Sequence, residues 1–369
     1  MKILFLVYHA LAEYSGISKK ILAQVEGLRE CGAEVTLCTL HFPGDGTQQR
    51  VCNGEPIRTF GRGIRAKIVK RVSYSDILDY VAENGIDAVY IRYDINSDPF
   101  TAALAKKLHR RGIKVIVEIP TWPYDGEFKG QSAKLKAQLY VDKMFRHSFF
   151  KHCDSVVTYA GCREIFGRPA INISNGVDFG KVKLTAKPFA GEELHMLSVA
   201  NIHLWHGLDR LIAGMALHKD VPAVLHIVGD GLPEIIEGYR KQAEDAGISD
   251  RVCILGPLYG ERLDEEFAWA NVAVGSLGRH RSGISDIKTL KNREYAARGF
   301  LFFYSENDTD FDDAAYVLKV PADESPVDVK AIREFVEAQK MTPEEIRESV
   351  KSLSWAAQMK KVITKAGLS

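Results

Sequence analysis

Short apolar runs alternate along this chain with stretches of helical spacing. Ile3–Tyr8 (ILFLVY) is a continuous apolar run, the mark of a strand buried on both faces. Ile17, Ile21, Val25 and Leu28 then recur at helical spacing after a turn at Ser15 and Gly16, Gly32 ends the helix, and Glu34–Thr39 reads as the next strand. Strand, glycine turn, helix and strand at this length predict a right-handed βαβ unit. Helices follow at 75–84 and 98–111, and strands at Ala88–Arg92, Lys114–Glu118, Ser155–Thr158 and Ala170–Ile173. The second half repeats the scheme, with strands at His195–Val199, Val224–Val228, Val252–Leu255, Val272–Val274 and Phe300–Tyr304. A helix from Glu344 to Ala366 closes the chain.

Two βα-alternating halves in 369 residues predict an α/β protein of two Rossmann-like, doubly wound domains facing an interdomain cleft. The charged stretch 180–193 has little periodicity, which sets the boundary at 188: an N-terminal domain over 1–188 and a C-terminal domain over 189–344. Composition is that of a soluble globular protein, 46% hydrophobic and 26% charged. A net charge of +1 gives no footprint for nucleic acid. The six cysteines form no C-x-x-C pair or zinc spacing, as expected of a reduced, cytoplasmic protein. No apolar run reaches membrane-spanning length, and the chain opens on a strand rather than a signal peptide.

Candidate chemistry concentrates in SGISDIKTLKNREYAARGFLFFYS, residues 282–305. Asp286 and Glu294 stand eight positions apart, with Lys288 and Lys291 between them, in a loop that enters a short helix. Free N–H groups at a helix start can seat a phosphate, and carboxylates beside it can accept from sugar hydroxyls. The plainer alternative makes Asp286 a helix cap and Glu294 the partner of a surface lysine. At the end of the Lys114–Glu118 strand, where open α/β sheets bind ligands, lie Glu118, Trp122 and Tyr124. Gly16 either lets the backbone approach a ligand or makes a tight turn; there is no G-x-G-x-x-G dinucleotide fingerprint. Two basic stretches, Arg62–Arg71 and Lys134–Lys151, suit contact with anionic lipid or are ordinary solvated helix faces. No Ser/His/Asp arrangement, metal triad or Walker loop competes.

In order and spacing, LSVANIHLWHGLDRLI, LHIVGDG, DRVCILGPL and the carboxylate-x7-Glu run ending in EYAARG, together with Gly16 and the NGVD at 175–178, resemble the family-four glycosyltransferases of GT-B fold. The resemblance covers nearly the whole chain. It implies a retaining hexosyltransferase that needs neither metal nor cofactor and takes its sugar from a UDP- or GDP-linked donor. The acceptor would be a glycan or a lipid-linked carrier in surface polysaccharide synthesis, reached in the cytoplasm or at the inner membrane face. Glu294 would hold the ribose hydroxyls and Asp286 the hexose, while Gly16 and Gly229 approach the donor and Gly256–Leu258 reads the base. Asp286 and Glu118 would be the catalytic residues, Trp122 and Tyr124 would bind the acceptor, and the helix over 345–369 would pack back on the N-terminal domain.

Three departures from the family pattern carry consequences. Asp286 replaces the usual Glu, and the N-terminal histidine is missing, with Glu118 nearest its place. The basic pair that neutralises the diphosphate falls at Asn201 and His206. Charge stabilisation therefore passes to Lys288 and Lys291, aided by a protonated His206. Two other readings remain: a GT-B sugar-nucleotide epimerase, and a non-catalytic sugar-nucleotide-binding subunit.

Overall fold

The computed structural model describes residues 1–368 except 13–14, 126–131, 192 and 285. The chain forms two compact units, Met1–Ser174 with Trp355–Ser369, and Asn175–Ser354. The division falls earlier than 188 because the charged stretch belongs to the second unit. There, Thr185 and Ala186 donate their backbone N–H groups to the Arg298 carbonyl, and Val177 bridges Ser354.

The first unit holds a nine-stranded sheet in the order β4-β3-β2-β1-β5-β6-β7-β9-β8. Its strands are β1 (Lys2–Leu6), β2 (Glu34–His41), β3 (Gln48–Cys52), β4 (Glu55–Gly61), β5 (Ala88–Arg92), β6 (Lys114–Ile119), β7 (Ser155–Thr158), β8 (Glu164–Ile165) and β9 (Arg168–Asn172). The helices are α1 (Gly16–Glu30), α2 (Gly63–Val72), α3 (Ser75–Asn84), α4 (Pro99–Arg110) and α5 (Ala133–Phe150). Strands β2, β1, β5, β6, β7 and β9 run parallel, and β3, β4 and β8 pair antiparallel at the edges. The alternation of side chains along β1 explains its unbroken apolar run: Ile3 and Phe5 join one buried cluster, Leu4 and Leu6 another on the opposite face. Helix α4 starts where Asp98 accepts from the N–H groups of Phe100 and Thr101, both at 2.8 Å, with Pro99 supplying no donor to satisfy.

The second unit carries a six-stranded parallel sheet in the order β12-β11-β10-β13-β14-β15. These are β10 (Leu194–Val199), β11 (Ala223–Val228), β12 (Val252–Gly256), β13 (Val272–Val274), β14 (Leu301–Tyr304) and β15 (Val317–Lys319). Its helices are α6 (Leu208–Leu217), α7 (Pro233–Asp245), α8 (Glu261–Trp269), α9 (Leu290–Ala297), α10 (Val329–Ala338) and α11 (Pro343–Ser349). The closing helix expected over 344–366 is two helices, α11 and α12 (Trp355–Lys365), separated by a 3₁₀ turn at Lys351–Leu353. The break serves two cores: Ile346, Val350 and Leu353 pack in the second unit, and Trp355, Met359, Val362 and Ile363 in the first.

Candidate functional site

In the second unit, winding proceeds outward from β10 through β11 to β12, then returns to β13 on the other side of β10. At such a reversal the loops leaving two adjacent strands part at the carboxyl edge, and a ligand can enter between them. Here those loops are 200–207 after β10 and 275–289 after β13. They are stitched together by the N–H groups of Leu277 and Gly278, which donate to the carbonyls of His206 (2.9 Å) and Trp205 (3.2 Å). Arg281 adds a two-pronged pair with Asp209 at 2.8 and 2.7 Å.

Helix α9 is pinned over the same point by Tyr295. Its hydroxyl receives the Val199 N–H at 3.2 Å and donates to the Val274 carbonyl at 3.1 Å, so it touches both strands of the reversal. Arg293, with no exposed side-chain surface, braces the approach to α9 by pairing with Asp308 and Asp310 and donating to the Thr289 carbonyl at 3.1 Å. Thr289 precedes the helix without a side-chain cap, so its first-turn amides keep their donor capacity.

Glu294 lies on α9 with its side chain 39% exposed, and Arg298 engages Oε1 at 2.9 Å. Arg298 is itself held by Asp264 at 2.9 Å and stacks 4.0 Å over the Phe267 ring, which fixes the direction of the Glu294 carboxylate. The partner of Glu294 is thus an arginine one turn along its own helix, rather than a surface lysine. Asp286 is exposed and caps no helix; its Oδ1 accepts from Asn307 Nδ2 at 3.3 Å, and its backbone bridges Asn307. Lys288 spends its ammonium on Asp310 at 3.0 Å. Lys291 Nζ is buried with no hydrogen-bond partner among the described residues.

His206 is buried, and its Nδ1 accepts the His203 N–H at 2.9 Å. That bond places the ring proton on Nε2. Burial, then the charges of Lys291 and Arg279, push its pKa far below the ordinary histidine value. The protonated His206 expected from sequence is therefore corrected to a neutral imidazole. Asn201 is exposed on the same loop. Gly229 has a φ of 142°, and a Cβ there would sit 1.7 Å from the Ala200 carbonyl oxygen, so glycine is needed for the chain itself. Gly256 accepts the Gly229 N–H at 2.9 Å, and Leu258 packs against the core.

Candidates in the first unit fare differently. Glu118 is entirely buried and ringed by Gln24 (2.6 Å), Tyr90 (2.7 Å), Arg92 (2.7 Å), Tyr159 (3.0 Å) and Lys20 (3.5 Å). Burial alone would raise its pKa, but Lys20, Arg92 and the hydrogen bonds outweigh it and leave the carboxyl at about 2. A carboxylate so enclosed has no lone pair or proton to offer, and its catalytic role is withdrawn. Tyr124 is likewise a core residue, donating to Asp142 Oδ2 at 2.8 Å. Trp122 is partly exposed, edge-on to Phe166 at 4.9 Å; the rest of its loop, 126–130, lies outside the described residues. A Cβ on Gly16 would meet nothing within 4 Å, and its φ is not left-handed, so no tight turn requires glycine there. Two site residues escaped sequence reasoning, Arg279 and Glu306. The RHRS run at 279–282 was the available signal for the first.

Residues 15–174 match the model of the Glycosyl transferase 4-like domain. A search of curated proteins by sequence finds no match. Among solved structures the chain is similar to sucrose-phosphate synthase from Thermosynechococcus elongatus, at 15% identity and TM-score 0.62, covering 100% of this chain and 99% of the other. It is also similar to Anabaena HepE solved in complex with UDP (12% identity, TM-score 0.60, 100% of both chains). The lipopolysaccharide outer core galactosyltransferase WaaB is comparable (14% identity, TM-score 0.60, covering 100% of this chain and 99% of the other). The chain thus carries a glycosyl transferase 4-like domain over residues 15–174 and shares the GT-B fold of these glycosyltransferases over its whole length.

Proposed function

We propose that this protein is a retaining hexosyltransferase that binds a nucleotide diphosphate sugar on the second unit. The observation that carries the reading is the position of Glu294. A half-exposed, arginine-oriented carboxylate stands on a helix with uncapped amides, at the strand-order reversal of a parallel sheet. Glu294 holds the ribose hydroxyls, the α9 amides meet phosphate oxygens, and exposed Asp286 contacts the hexose. As the sugar leaves, its C1–O bond breaks and the electron pair stays on the phosphate oxygen; the acceptor hydroxyl bonds to C1 and passes its proton to that oxygen. The protein supplies orientation and electrostatics. That Anabaena HepE was solved with UDP, and with UDP and glucose, supports a nucleotide-sugar donor.

An acceptor carried on a lipid surface, in surface polysaccharide synthesis at the cytoplasmic side, is supported by α2. That helix exposes Ile64 (76%) and Ile68 (56%) one turn apart, beside exposed Arg65, Lys67 and Arg71. No helix among the described residues is long and apolar enough to cross a membrane.

The test is incubation of the purified protein with UDP-, GDP- and ADP-sugars, with and without lipid-linked acceptors. Acceptor-dependent release of nucleoside diphosphate is the expected result. Conversion without acceptor would instead make the protein an epimerase, and binding without turnover a donor-binding subunit.

A further inference from the structure

A buried ammonium normally has an acceptor, because stripping water from a charge costs several kcal/mol unless something replaces it. Lys291 breaks that rule: its Nζ is out of solvent and donates to nothing among the described residues. Opposite in sign and equally unpartnered is Glu306 Oε2, although Oε1 of the same carboxyl takes bonds from Asn292 Nδ2 at 3.2 Å and Thr289 Oγ1 at 3.4 Å. Arg279 belongs to the same cluster: its guanidinium lies 5.4 Å over the Trp205 ring, and its charge acts on Lys291, His206 and Glu306. Around them Lys288 pairs with Asp310, Arg293 with Asp308 and Asp310, and Arg281 with Asp209 and Glu324. The loops that carry His206 and Arg279 are the two tied together at the strand reversal, and α9 brings Lys291 to the same place.

We propose that Lys291 and Arg279, with the Nε2–H of an uncharged His206, form the seat of the donor's leaving diphosphate. The proposal rests on the glycosyltransferase reading above and deepens it: the positive charge absent at Asn201 and His206 is supplied from α9 and from the 279–282 turn. When the C1–O bond breaks, a negative charge appears on the phosphate oxygen and meets both cations in a site partly closed to water. Imidazole Nε2–H adds a neutral donor, and its neutrality spares the two cations a third like charge.

The seat carries its own pH dependence. Burial, with help from Arg279 and against the pull of Glu306, holds the Lys291 ammonium down at about 8. The other titratable groups facing it are His206 and His203, both lowered by burial, and Glu306, raised by burial, with Asp308 behind it paired to Arg293. A bound polyanion favours the protonated ammonium, so anion affinity is full below about pH 8 and falls as Lys291 loses its proton above it.

The experiment is calorimetric titration of the full chain with inorganic pyrophosphate, for wild type, Lys291→Met, Lys291→Arg and Arg279→Gln, each checked for an unchanged thermal melt. Lys291→Met and Arg279→Gln should each weaken binding on the order of tenfold or more, while Lys291→Arg retains most of it. The ratio of wild-type to Lys291→Arg affinity should fall on the order of tenfold from pH 7 to 9.5, because arginine stays charged and the titration of pyrophosphate itself cancels. Unchanged binding by Lys291→Met, a ratio flat with pH, or no binding of pyrophosphate by wild type overturns the proposal. Pyrophosphate binding that follows this pattern, without sugar transfer from any donor, sustains the seat and counts against the glycosyltransferase reading alone.

Discussion

At the scale of single residues, two carboxylates of similar promise in the sequence have opposite fates. Glu294 is partly open and oriented by one arginine; Glu118 is closed in by five donors. Glu294→Ala should therefore leave the melting temperature within a few degrees and reduce donor affinity on the order of a hundredfold, read as a rise in KM and in the Kd for nucleoside diphosphate. Unchanged affinity would remove Glu294 from the ribose site. Glu118→Ala should do the reverse, costing about 3–5 kcal/mol of stability by stranding Lys20 and Arg92, with donor KM unaltered in the folded fraction. Because the folded pKa of Glu118 is depressed from 4.5 to about 2, its contribution is present above the unfolded value and lost as pH falls through that window. Denaturant titrations should show the gap between wild type and Glu118→Ala closing by on the order of 3 kcal/mol between pH 6 and pH 2. Sequence could place both glutamates near a strand's carboxyl edge or a helix start. It could not show that Lys20, Gln24, Tyr90, Arg92 and Tyr159 converge on one of them, since the five come from three separate segments.

At the scale of elements, legibility followed burial. Strands enclosed on both faces, such as β1, β5, β10 and β14, announce themselves as apolar runs. The β3–β4 pair and α2 do not: β4 is only partly buried, and β3 places Arg50 in the interior, where Asp76 pairs with it at 2.6 Å. The break between α11 and α12 was equally silent, because no glycine or proline marks 350–354 and the turn follows from two cores pulling in different directions. Two glycine substitutions separate local packing from ligand approach. Gly16→Ala, at the first position of α1 with open space around it, should leave stability unchanged or raise it by up to about 1 kcal/mol, yet reduce turnover if a ligand passes there. Gly229→Ala should destabilise the second unit, because its Cβ meets the Ala200 carbonyl that the β10 loop depends on. Thermal melts and donor kinetics on the two variants distinguish the roles; loss of stability in Gly16→Ala would return that glycine to a structural part.

At the scale of the whole molecule, α12 belongs to the first unit although 180 residues of the second separate it from β9 and its neighbours. It lies against α1 at Gly27, where any side chain would strike the Trp355 carbonyl group 2.7 Å away. Met359, Val362 and Ile363 complete the apolar cluster beneath it, and Gln358 accepts the Ser174 N–H at 2.8 Å. Ending the chain at Ser354 should lower the melting transition of the first unit and expose its apolar face to a hydrophobic dye, with the second unit still cooperative. Loss of both transitions together would show that the units are energetically one.

On the ribosome this arrangement sets an order of events. The nascent N-terminal sheet must wait, one face uncovered, while every strand of the second unit is made, and the later half can finish its core first. Anything that shields Ile21, Val25 and Leu28 during that interval, chaperone or transient contact alike, decides the yield of active protein before any donor is bound.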